Sequence, residues 1–165
     1  MKLTAREDIS APIEAVFQQL SDFDGFERSV LRRGAELART DSLSAPGPGM
    51  SWRAGFEYRG RKRDALIEMT SYTPSEQMCF QIKTSGLDVA LTADLVAMSR
   101  GRTRMSIATD LAATTLPSRL LLKSLKLARH RLQGKFRNRI SEFAVDLEGR
   151  GADRRDKRRE YPDYW

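Results

Sequence analysis

The chain has 165 residues, 40% of them hydrophobic, enough for one globular domain with a substantial core. Its single cysteine, Cys79, excludes an internal disulfide, and with a single histidine, His130, it cannot make a zinc or haem ligand set, although carboxylates alone could still hold a hard cation; no Walker-type loop or dinucleotide fingerprint occurs, and no metal and no cofactor is expected. The net charge of +7 is uneven. Residues 1–116 hold 15 basic and 15 acidic side chains, residues 117–165 hold 14 and 7, and the whole excess therefore lies near the C-terminus.

No stretch has the length and apolarity of a membrane span or a secretory leader, and the expected location is cytoplasmic. Leu3–Ile9 reads as a first strand. Ser10, Pro12 and Glu14 then signal a helix start, and Ile13, Val16, Phe17 and Leu20 recur at helical spacing. A break at Asp22-Phe23-Asp24-Gly25 precedes a second short helix through Phe26 and Val30. A weak strand follows around Ala35–Arg39, and Pro46-Gly47-Pro48-Gly49 is a loop.

From Met50 the period changes to two. Trp52, Ala54, Phe56 and Tyr58 alternate with polar residues, and four more alternating runs follow: Asp64–Tyr72, one around Met78, Phe80 and Ile82, Leu87–Leu95, and Met105–Leu111. The short turns between them predict an antiparallel meander with one apolar face. Leu116–Glu148 then reads as a single helix. Leu121, Leu125, Ala128, Leu132, Phe136, Ile140, Phe143 and Leu147 form a stripe about 120° wide. Thr114, Thr115 and Pro117 mark its start, and Gly149 its stop. Its expected length is roughly 48 Å. The charged segment 149–165 lacks an apolar stripe and is expected to be a mobile or loosely docked tail, with Tyr161, Tyr164 and Trp165 as anchors.

The order of elements, together with Ile9-Ser10-Ala11-Pro12-Ile13-Glu14-Ala15-Val16-Phe17 and Ser21-Asp22-Phe23, resembles the START-like, or SRPBCC, superfamily over residues 2–148. The resemblance implies an α+β helix-grip fold: a curved antiparallel sheet of about seven strands wrapped around a long C-terminal helix, with two short helices after the first strand. Residues 1–148 would form the ligand-binding domain. The family's cavity between sheet and helix implies binding of a hydrophobic small molecule such as a lipid, quinone or polyketide. On that implication the cavity wall is assigned to Trp52, Phe56, Tyr58, Met69, Phe80, Leu91, Met105, Ile107, Leu121, Leu125, Arg129 and Leu132. An ordinary packed core is the competing reading of the same side chains.

A second reading is an enzyme of the polyketide cyclase/dehydrase type. It would require inward polar groups, and Arg129 is the one catalytic candidate, because its helical angle falls within the apolar sector. A guanidinium reaching solvent over an apolar stem is the plainer alternative. Asp94, Asp110 and Tyr58 are weaker candidates without partners. His130 falls among Arg119, Lys123, Lys126 and Arg137 and is expected at the surface.

A third reading is a basic helix docking on RNA, a ribosome, an anionic membrane or an acidic partner through Arg119, Lys123, Lys126 and the tail. Specific nucleic-acid binding is not expected, since exposed aromatics do not interleave with the cations. Leu116, Leu120 and Leu127 lie off the main stripe. They are expected to be covered by adjoining loops or a second subunit, the alternative being a membrane-docking face.

Overall fold

A computed structural model describes residues 1–58 and 60–160, without the side chains of Tyr58 and of 151–160. Seven strands are present: β1 (Lys2–Ile9), β2 (Glu36–Arg39), β3 (Ser51–Tyr58), β4 (Arg61–Thr73), β5 (Gln77–Thr84), β6 (Leu87–Ser99) and β7 (Arg102–Ala113). They form one antiparallel sheet in the order β1-β7-β6-β5-β4-β3-β2. The meander β2–β7 is thus extended by β1, which returns to pair with β7. A bulge in β4 between Met69 and Ser71 leaves Thr70 without a cross-strand partner on β5. Such an insertion bends its strand and increases the local twist. This is the α+β helix-grip arrangement.

Helix α1 (Ile13–Leu20) buries Val16 and Phe17, the face given by its i, i+3, i+4 spacing. Helix α2 (Phe23–Arg32) starts with the Asp22 carboxylate accepting from the Gly25 N–H at 3.1 Å. It covers the β3 end of the sheet. Phe23 lies 5.6 Å from the Trp52 ring, and the Trp52 indole N–H donates to Glu27 Oε1 at 2.7 Å.

The single C-terminal helix expected from the stripe is interrupted. Helix α3 (Leu116–Leu127) ends at Ala128, where φ −94° and ψ 12° leave the helical region, and α4 runs Arg129–Glu160. The Ala128 N–H turns back to the Leu125 carbonyl at 3.1 Å, a three-residue closure in place of the four-residue helical bond. Thr115 caps α3 reciprocally with Ser118, as the Thr-Pro start signal requires. The stop expected at Gly149 is also absent, and α4 continues through it. Glycine permits a left-handed helix end but does not impose one, and Gly149 does not adopt positive φ. The aromatic anchors Tyr161, Tyr164 and Trp165 lie outside the described residues.

Helix α4 is docked along β1, the strand at the sheet's edge. Gln133 completes that edge as a strand would: its Oε1 accepts from the Thr4 N–H at 3.2 Å, and its Nε2 donates to the Thr4 carbonyl. Further along, Glu148 Oε1 accepts from the Ser10 N–H at 2.7 Å. Fifteen helical residues span about 22 Å and six extended ones about 20 Å, so helix and strand run side by side. An edge that would invite pairing with another chain is thereby occupied. Beyond it, Ala144 and Leu147 of α4 join Ile9, Val16, Phe17, Met50, Met69 and Met105 in the core.

Candidate functional site

The inward face of the central strands is not covered evenly. Antiparallel register aligns three rows across it. In the first, Met78 on β5, Ala93 on β6 and Ile107 on β7 are all buried. In the second, Phe80, Leu91 and Thr109 are half-buried. In the third, Ile67, Ile82, Val89 and Leu111 are half-buried as well. These are interior positions of long strands, so hydrogen-bonded neighbours do not leave them open; what is missing is cover above the sheet. The fully covered half lies towards α1 and the end of α4. The partly covered half lies towards the β5–β6 turn and the start of α3.

The geometry of that end follows from two contacts. Gly86, at φ +114° in the β5–β6 turn, lies against the α3 cap; a Cβ there would meet Ser118 Oγ and Thr115 Oγ1 at 3.1 Å. The Thr114 N–H also donates to the Gly86 carbonyl at 2.9 Å. Helix α3 therefore starts at one rim of the sheet, packs on β7, and breaks before α4 takes hold of β1 at Thr4. Around the break, Leu125 and Leu132 are half-buried while Ala128 and Arg129 are exposed. The inward apolar face is thus only partly covered at this end, with Phe136 and Ile140 of α4, like Ile67, Phe80 and Leu91, packed against the core beside it.

The twelve residues assigned to the wall separate accordingly. Met69 and Met105, at 0% exposure, border neither solvent nor a void that a water could enter, and Trp52 and Ile107 are also core members. Phe80, Leu91, Leu121, Leu125 and Leu132 are half-buried, with Phe80 and Leu91 paired across β5 and β6 and packed against the core. Phe56, four residues beyond Trp52 on the same face, is 39% exposed because α2 reaches Trp52 and stops short of it. The Tyr58 side chain lies outside the described residues.

Arg129 keeps the helical angle of Phe136, Ile140 and Leu147, but at the break nothing packs over it and it is exposed. Instead of pointing into an enclosed cavity it lines an open groove of about 560 Å³ with Thr4, Lys126, Leu127, His130, Gln133 and Arg137. Ile67, Ile82, Val89 and Leu111 were not singled out from sequence as wall residues. The signal that finds them is cross-strand register, which aligns all four in the inward row next to that of Phe80 and Leu91.

Among the described residues, the groups with displaced pKa values lie in ion pairs of the strands and their connections. The Arg104 guanidinium donates to both Asp8 oxygens at 2.7 and 3.0 Å, holding that carboxyl below its ordinary range and raising Arg104 in turn. Arg39 does the same to Asp41, helped by the N–H groups of Ser51 and Leu43, and Asp41 is held far below the usual carboxylate value. Asp94 and Asp110 now have partners: Gln77 Nε2 at 2.7 Å and the N-terminal ammonium at 3.3 Å. The partly covered second row therefore presents the apolar Phe80 and Leu91 beside Thr109 of β7.

No protein-family model matches this chain, and no curated protein matches it in sequence. Solved structures do match. The protein TTHA0849 from Thermus thermophilus superposes with a TM-score of 0.62 at 19% identity, covering 93% of this chain and 98% of its own. The Zhui aromatase/cyclase from Streptomyces sp. R1128 gives 0.61 at 11% identity over 98% and 96% of the two chains. A START superfamily protein from Mycobacterium smegmatis gives 0.51 at 15% identity over 81% and 95%. This chain has the START-like, helix-grip fold. At such identities the helix-grip likeness concerns the backbone, and the chemistry must be argued from this chain's own side chains. Among the described residues, no helix is long and apolar enough to cross a membrane.

Proposed function

We propose that the chain binds a hydrophobic small molecule, of the lipid, quinone or polyketide kind, in the trough between the sheet and the C-terminal helices. One observation carries this reading. Inward-facing apolar side chains of β4–β7 stay partly exposed, while the same face one row away is buried. A fold stabilised by burial would close such a gap unless something else fills it. The fold neighbours named as a START protein and an aromatase/cyclase support the same class of ligand. The floor is Phe80, Leu91, Ile82 and Val89, and the helix side is Leu121, Leu125 and Leu132. Thr109 would orient a hydroxyl or carbonyl of the ligand.

Binding is favoured over turnover because the floor carries no ionisable group, and the ionisable groups with displaced pKa values are held in structural pairs. Native mass spectrometry of protein purified from its own host tests the reading, together with titration of an apolar fluorescent dye. Retained mass that an added hydrophobe displaces, or saturable dye uptake, is expected. A protein that is empty and takes up no dye would remove the proposal.

A further inference from the structure

Helix α3 has two apolar faces, and the fold uses one. Ser118 and Leu122 are buried on its inner side. On the opposite side Leu116, Leu120 and Leu127 are 73%, 66% and 92% exposed. At 100° per residue these three and Lys123 fall within a sector about 60° wide. Among the described residues, the adjoining loops expected to cover them do not lie over them. Their surroundings are unusually uniform in charge. From Leu116 to Ser141 there are eight Arg and Lys and no Asp or Glu. Among the described residues, only Arg139 of these eight has a carboxylate partner, Glu142 at 3.3 Å. The leucine face ends at Leu127, which also lines the open groove with Lys126, Arg129, His130 and Arg137.

We infer that this surface docks the protein on an anionic lipid bilayer, with α3 lying in the interface. The leucines would enter the acyl boundary, the flanking cations would meet lipid phosphates, and the groove at the break would accept a headgroup. Exposed leucine interleaved with lysine is what an interfacial helix needs, apolar contact and attraction to anionic lipid together. A second copy of the chain fits poorly. Face-to-face pairing would set Lys123 and its flanking Arg119 and Lys126 against the same cations with no acid between them. Nucleic acid would use the cations but leave three leucines in water, and among the described residues no exposed aromatic interleaves with them for base stacking.

The inference stands apart from the trough. A chain that takes up apolar dye yet ignores vesicles overturns only this one. The test is flotation of the full chain with vesicles of phosphatidylcholine alone or with about one-third phosphatidylserine. Binding is expected to the anionic vesicles only, falling steeply as salt rises from about 0.05 to 0.5 M. Leu120→Ser with Leu127→Ser should weaken partitioning about tenfold or more. Lys123→Gln with Lys126→Gln should also weaken it, by about fivefold for each charge. All four positions are exposed, and unchanged circular dichroism and Tm confirm that the variants fold. Absence of binding to anionic vesicles overturns the inference. So does binding that ignores the leucine changes, which would mark a purely electrostatic surface. A dimer in sedimentation that the leucine changes dissolve overturns it too.

Discussion

Leu91→Trp separates an open trough from a packed core more sharply than any truncation. Leu91 sits in mid-β6, paired with Phe80 on β5 and Thr109 on β7, and is half-buried. Were the face above it filled, an indole in place of isobutyl would force neighbouring side chains off their rotamers, at about 1–3 kcal/mol or more. Over an open trough the ring instead lies on Phe80 and covers surface now in contact with water, and the stability change should stay within about 1 kcal/mol of zero. The control is Met105→Ala. That side chain is wholly buried in the covered half, so removing it leaves a cavity and should cost about 2–5 kcal/mol. For a chain of this length that is a fall in Tm of roughly 5–20 °C. Thermal and urea unfolding measure both. The same Leu91→Trp protein should lose apolar dye uptake, because the ring occupies the site. A destabilisation by Leu91→Trp comparable to that of Met105→Ala, with dye uptake intact, would refute the assignment of the trough.

Three further outcomes test the frame around the site. Gln133→Ala removes both hydrogen bonds to the β1 edge and should cost about 1–2 kcal/mol, with faster hydrogen exchange at the Thr4 amide; unchanged exchange there would show that α4 does not hold the edge through this side chain. Gly86→Ala meets positive φ and two hydroxyl oxygens of the α3 cap at once, so a loss of about 1–3 kcal/mol is expected in denaturant unfolding, whereas wild-type stability would mean that the β5–β6 turn is not coupled to α3. The depressed Asp41 carboxyl contributes stability that is present above its unfolded pKa of about 3.9 and lost as pH falls below it. Asp41→Asn should therefore be less stable than wild type near neutral pH, with the gap narrowing in acid; a constant gap would sink this account.

Arg129→Ala addresses the catalytic alternative directly. With its guanidinium in an open groove, its loss should leave any detected turnover and any dye uptake unchanged. A large drop in turnover with unchanged Tm would restore it as a catalytic candidate.

The sequence by itself determined the local elements and their order. Period-two runs from Met50 to Leu111 specified strands and which face of each is apolar, and short turns between them allowed only a meander. Helical spacing in Ile13–Leu20 and the Thr-Pro cap before α3 were equally legible, because capping and amphipathicity are properties of neighbouring residues. Tertiary structure decided which part of the apolar face is covered. Trp52 and Phe56 are equivalent in the strand pattern, yet only Trp52 lies under Phe23 and Glu27. It also decided the break at Ala128. Alanine is the best helix former, and the apolar stripe crosses that position without a change of phase, so no local signal marks it. The break falls between two fixed points, the α3 cap held at Gly86 and the Gln133 clamp on Thr4, in a stretch where little packing holds the helix straight. Anchors that join Gly86 to Ser118, 32 residues on, and Thr4 to Gln133, 129 residues on, are invisible to any local pattern. They leave Arg129 in solvent and the outer leucines of α3 uncovered.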